Sequence, residues 1–200
     1  MKKHIEEFRE FKKEKPGKRE VVLFVGPPGS GKGTQSQIVA KKKDYIHVST
    51  GDILRKSKDP KIKEMMKTGK LLPDDLLAKV VQQFIEDVPR TKGFIFDGYP
   101  RNLSQKDHFQ EILLNTNLAL QNVIFLNVPE DVLFNRIKER AKTSGRADDA
   151  DPKVFSTRME EYNTQTLPMI NSMEEDEGFF EIDGTKKLET ITKNILKKIN

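Results

Sequence analysis

Short apolar runs alternate along the chain with longer stretches of helical spacing. VVLFV (21–25), GFIFD (93–97) and NVIFLNV (122–128) are continuous and rich in β-branched or aromatic residues, as strands buried on both faces are. YIHVS (45–49) and GFFEID (178–183) are shorter candidates. Helical periodicity runs over 32–43, 73–87, 104–115, 129–141, 152–175 and 186–199. Buried strands alternating with helices predict an α/β fold, a parallel sheet of about five strands flanked by helices. There is no internal repeat and no low-complexity segment.

Residues 1–20 stand apart from this pattern. Ile5, Phe8 and Phe11 recur at helical spacing among Lys and Glu, and Pro16-Gly17 breaks the run. The segment reads as a charged N-terminal extension, and residues 21–200 as one domain. Composition changes this picture little. With 35% hydrophobic and 34% charged residues, the chain carries too much apolar content for disorder. The net charge of +5 suits anionic ligands but is too mild to imply nucleic acid. There is no cysteine, which excludes a disulfide framework and a cysteine-ligated zinc site. The absence of a long apolar run or a signal-peptide core predicts a soluble cytoplasmic protein that does not use a membrane.

The chemistry begins at the end of the first strand. Gly26-Pro27-Pro28-Gly29-Ser30-Gly31-Lys32-Gly33-Thr34 lies between VVLFV and a helix. It nearly meets the phosphate-loop spacing G-x-x-x-x-G-K-[ST], with Gly33 where Ser or Thr normally stands. Glycines let backbone N–H groups turn toward phosphate oxygens, and the helix N-terminus adds the positive end of its dipole. Lys32 adds a mobile cation. A structural turn would need no lysine at this place.

Further along, Ser49-Thr50-Gly51-Asp52 opens a helix and puts Arg55 one turn on, within reach of an anion. A capped helix with a surface arginine would look the same. Asp97, at the carboxyl end of the strand GFIFD, can hold Mg²⁺ through its waters, and Arg101 can pair bidentately with phosphate. Four residues beyond Arg101, the Gln105 amide offers both a donor and an acceptor. Arg136 and Arg140 share one helix face. The scattered His4, His47 and His108 show no ligand spacing and read as structural or exposed.

These motifs together resemble the adenylate kinase family of nucleoside monophosphate kinases, in its short-lid form, from Val21 to Asn200. GPPGSGKGTQ resembles that family's phosphate loop, where Gly-Thr after the lysine is usual. The resemblance implies a P-loop NTPase-type sheet, an acceptor-binding insert near 50–75 and a lid near 140–152. It implies ATP binding by Gly29, Ser30, Gly31, Lys32, Gly33, Thr34, Arg136, Arg140 and Lys186. The segment S-T-G-D-x-L-R implies AMP contacts from Thr50 and Arg55, and Gly69–Asp74 implies an adenine pocket lined by Lys70, Leu71 and Leu72. D-G-[FY]-P-R implies AMP contacts from Gly98, Tyr99, Pro100 and Arg101, and a place near Mg²⁺ for Asp97.

Gln105 would read the acceptor base, where the family's UMP/CMP kinases carry Asn. Lys32, Asp97, Arg101, Arg140, Arg146 and Arg158 would be the catalytic set, and Asp148 and Asp149 lid anchors. Mg²⁺ would be held only through water, near Asp97 and Thr34. The implied reaction is ATP + AMP ⇌ 2 ADP by direct in-line transfer, in a monomer. Asn102 points toward the pyrimidine branch, so a UMP/CMP kinase stays open, as does a nucleotide-binding regulatory module without catalysis. The chain departs from the family in a shorter stretch between Arg55 and Lys70 and one extra residue between Arg146 and Arg158.

Overall fold

The computed structural model describes residues 18–56, 60–68, 73–88, 92–143 and 151–199. Its strands are β1 (Arg19–Val25), β2 (Ile46–Ser49), β3 (Phe94–Asp97), β4 (Leu118–Asn127) and β5 (Phe179–Asp183). They pair in parallel in the order β2-β3-β1-β4-β5. The helices are α1 (Lys32–Lys43), α2 (Thr50–Lys56), α3 (Pro60–Thr68), α4 (Asp74–Glu86) and α5 (Leu103–Asn115). After them come α6 (Glu130–Thr143), α7 (Pro152–Glu161), α8 (Leu167–Asn171) and α9 (Leu188–Lys198).

The central strand explains the layers. Every side chain of VVLFV is buried, because helices cover both faces of β1. Val21, Leu23 and Val25 point to one side, where Leu77 and Val81 of α4, Phe109 of α5 and Leu133 of α6 complete the core. Val22 and Phe24 point to the other side, under Val39 of α1 and Ile191 and Ile195 of α9. Cutting one of the leucines or isoleucines among them to alanine would cost about 2–5 kcal/mol.

The sheet also fixes where a ligand goes. From β1 the chain crosses by α1 to β2 on one edge, while from β3 it crosses by α5 to β4 on the other side of β1. The connections therefore diverge between β1 and β3, and a crevice opens at the carboxyl ends of these two strands.

The elements follow the sequence pattern with four differences. First, β1 starts at Arg19, inside the segment expected to be an extension; residues 1–17 lie outside the described residues. Second, β4 starts at Leu118 and not near 122, because a bulge breaks the alternation: Val21 pairs with Leu120 but Val22 with Asn122, leaving Gln121 over. Third, the expected helix 152–175 ends at Asn171 and contains a wide π turn, Tyr162–Thr166. Fourth, α3 was absent from the periodic stretches, although Ile62, Met65 and Met66 give a brief i, i+3, i+4 signal.

Candidate active site

The phosphate loop joins β1 to α1. Gly26 takes φ 145°, and a Cβ there would come within 2.7 Å of the Leu126 carbonyl oxygen of the neighbouring strand. Only glycine lets the chain turn this sharply against β4. The loop, the end of β3, α2 and the helices beyond β4 enclose a cavity of about 340 Å³.

Four cations of the expected set meet at this cavity: Lys32, Arg101, Arg140 and Arg158, with the carboxylate of Asp97 among them. Lys32 is half-buried at the first residue of α1 and donates to the Pro27 carbonyl oxygen at 3.2 Å. Burial pulls its pKa down to about 8; Asp97 opposes this, while Arg101, Arg140 and Arg158 add to it. For Arg101, burial also works against the charge, Asp97 supports it, and Arg158 and Arg55 repel it. Arg101 Nε donates to the Gly98 carbonyl at 2.7 Å, which turns the guanidinium back into the crevice. Several cations gathered around Asp97 at one cavity suit an anionic ligand.

Around this centre, Gly29, Gly31, Gly33, Thr34, Thr50, Arg55, Gly98 and Pro100 also line the cavity. The buried Thr50 hydroxyl donates to the Gly98 carbonyl at 2.8 Å, joining α2 to the turn after β3. Arg55 pairs with Asp52 at 2.6 Å one helical turn away. A Cβ built on Gly33 would stand 3.1 Å from Asp97 Oδ2. The glycine that departs from the general pattern thus leaves room for that carboxylate. His47 is held to the Ser36 hydroxyl at 2.9 Å, away from the cavity lining, which fits its structural reading.

Other expected residues stand elsewhere. Ser30 and Tyr99 are buried behind the turns that carry them. Arg136 does not line the cavity: its guanidinium donates to the Gly184 carbonyl at 2.8 Å and to the Ser30 carbonyl at 3.4 Å, bracing the phosphate loop. Lys186 is exposed and pairs with Asp183 at 3.2 Å. Hydrogen bonds from Thr185 hold the Asp183 carboxyl down at about 2. Lys70, Leu71, Leu72, Arg146, Asp148 and Asp149 lie outside the described residues.

Gln105 stands apart from the residues that line the cavity. It is fully buried and does not line the cavity. Its Oε1 accepts the Arg101 backbone N–H at 2.8 Å, and its Nε2 donates to Asp74 at 2.8 Å. The amide is thus tied into the protein and not presented to an open pocket. Asn102 also gains a plain explanation: its side-chain oxygen caps α5 by accepting from Gln105 N at 2.7 Å. Its side-chain nitrogen donates to Asp74 Oδ1 at 3.1 Å, so both ends of the Asn102 amide are engaged within the protein.

Sequence reading missed the contribution of the π turn. Glu161, Tyr162 and Thr166 all line the cavity beyond Arg158. Pro168, standing inside an otherwise helical pattern, was the available signal for an irregular turn just before it.

Comparison with known proteins shows the family that this chain resembles. The family model described as adenylate kinase matches residues 24–177. An adenylate kinase of Prochlorococcus marinus is 38% identical over 184 residues, covering 89% of this chain and 97% of that protein. One of Leptospira biflexa is 36% identical over 184 residues, covering 89% and 98%. One of Flavobacterium johnsoniae is 35% identical over 186 residues, covering 90% and 97%.

Proposed function

The chain belongs to the adenylate kinase family, and from that premise we propose how its cavity carries out the transfer of a phosphoryl group between ATP and AMP. The enzyme is a nucleoside monophosphate kinase that runs ATP + AMP ⇌ 2 ADP. The observation that carries the site assignment is the convergence of Lys32, Arg101, Arg140 and Arg158 at the switch point between β1 and β3.

In this reading the phosphate loop cradles the donor phosphates with backbone N–H groups, and Lys32 follows the transferring group. Arg101 and Arg55 hold the acceptor phosphate from the other side. Arg140 and Arg158, from α6 and α7, close on the equatorial oxygens, where charge spreads during transfer. Arg146 joins them from the lid. The cations are placed before the reaction begins, so little reorganisation accompanies transfer. No side chain acts as nucleophile or obligatory base. Closing around the two bound nucleotides excludes water, which would otherwise accept the phosphoryl group.

Asp97 and Thr34 both line the cavity beside the phosphate loop and offer hard oxygens, a donor set that fits Mg²⁺ held through water. Bound there with ATP, the ion would neutralise phosphate charge and orient the β- and γ-groups. Arg136 and Lys186 border the donor base from the α6 and β5 sides. The protein works as a monomer.

On the acceptor side, Gln105 bears on base choice. Its amide retains one hydrogen and one lone pair beyond the two bonds it makes here. A coupled assay offering AMP, dAMP, CMP and UMP with ATP tests the assignment. AMP is expected to exceed CMP and UMP in kcat/KM by at least about tenfold, a difference of about 1.4 kcal/mol. A better rate with CMP or UMP would replace the adenylate reading with the pyrimidine one.

A further inference from the structure

We propose that Asp74 is a positioning residue for the acceptor half of the reaction, fixing the amide of Gln105 and tying the far end of the 50–75 insert to the turn that carries Arg101. The inference rests on the reading of that turn as the acceptor-phosphate site. Asp74 opens α4, and its Oδ1 accepts from Gln105 Nε2 at 2.8 Å and from Asn102 Nδ2 at 3.1 Å. A carboxylate only accepts, so it allows Gln105 one orientation, with Nε2 toward Asp74 and Oε1 toward the Arg101 N–H. Because Gln105 is fully buried, turning the amide over would leave polar groups unpaired.

The same bonds reach both ends of the insert. At its start, the Thr50 hydroxyl donates to the Gly98 carbonyl oxygen, which also accepts from Arg101 Nε. At its end, Asp74 holds Asn102 and Gln105, which directly follow the same turn. The segment that covers the acceptor is therefore anchored twice to the residues that bind its phosphate. Burial pushes the Asp74 carboxyl up, but hydrogen bonds from Gln105, Asn102 and Ser104 outweigh it and hold the group below the usual carboxylate range. The contacts are then charge-assisted at neutral pH and stronger than neutral ones.

A double-mutant cycle tests this role, with steady-state constants measured for wild type, Asp74→Ala, Gln105→Ala and the double variant. Asp74→Ala is expected to raise KM for AMP by about tenfold and to leave KM for ATP within about twofold. Because Asp74 acts through Gln105, the double variant is expected to be no worse for AMP than Gln105→Ala alone. Asp74→Asn keeps one acceptor oxygen without the charge, and its KM for AMP is expected between wild type and alanine. If Asp74→Ala fails to fold, the cycle is run with Asn. Additive effects of the two positions, or an equal rise in KM for ATP, would overturn the proposal. A wild type that prefers CMP or UMP would instead overturn the acceptor assignment, and the cycle would be read with that nucleotide.

Discussion

Replacing Lys32 with Met is expected to make the free protein more stable and the enzyme far worse. Lys32 stands at the N-terminus of α1, where the helix dipole already disfavours a cation, and it faces three arginines with Asp97 as its opposing charge. The fall of its pKa from the usual 10.5 to about 8 corresponds to about 3 kcal/mol of cost to the charged form. The cavity is open to water, and screening brings this to about 1–2 kcal/mol. Losing the bond to the Pro27 carbonyl takes back part of the gain, but that oxygen can be hydrated.

The sign follows from linkage. The unfolded chain keeps the Lys32 proton up to about pH 10.5, while the folded chain releases it near 8. Wild-type stability therefore rises with pH across that window relative to the Met variant. The variant's advantage is complete below pH 8 and fades toward 10.5. Thermal unfolding of the free proteins at pH 7 is expected to show Met higher by about 2–6 °C. Its kcat is expected to fall by at least about a hundredfold, as for loss of a preorganised charge. A Met variant less stable at every pH, or a stability gap that does not change between pH 7 and 10, would refute the electrostatic reasoning.

Two further outcomes follow from the same structure. ATP affinity of the wild type is expected to weaken as pH rises above about 8, because binding must then return the proton to Lys32; calorimetry at pH 8.5 in buffers of different ionisation enthalpy checks for that proton uptake. Gly178→Ala is expected to lower stability by about 2 kcal/mol or more without altering either KM. Gly178 takes φ 84°, its carbonyl accepts from Val123 at 2.8 Å, and a Cβ would run into the Gln121 carbonyl at the bulge; chemical denaturation beside steady-state kinetics checks the separation.

The layers were legible because burial on both faces writes itself into sequence as uninterrupted apolar runs. VVLFV, GFIFD and the β4 run are such runs, and α1 spans the residues that its spacing predicts. The phosphate loop was legible because its physics is local. The surroundings of Gln105 were not legible, for a physical reason. Its partner, Asp74, lies 31 residues away and belongs to another helix, so nothing near Gln105 in sequence says that its amide is taken. The cap that Asn102 gives α5 was likewise hidden, because it is a matter of local backbone geometry. Convergence of Arg140 and Arg158 with Lys32 depends on three separate elements, and only the family resemblance could bring them together before the fold was known.

The helix that carries Arg158 shows how a residue outside the cavity decides what faces it. Arg158, Tyr162 and Thr166 follow at intervals of four, and all three line the cavity. In a regular α-helix each four-residue step drifts by about 40°, so Thr166 would stand about 80° around from Arg158. Pro168 prevents that regular course. It has no N–H to give to residue 164, and its ring cannot sit against the carbonyl there. The chain answers with a turn one residue wider, in which Leu167 N–H reaches back five residues to the Tyr162 carbonyl. A wider turn advances less per residue, which takes back much of the drift and keeps Thr166 on the cavity side. The Thr164 hydroxyl donates to the Glu160 carbonyl at 2.7 Å and helps satisfy the loosened turn. The proline thus keeps Tyr162 and Thr166 on the same cavity wall as Arg158.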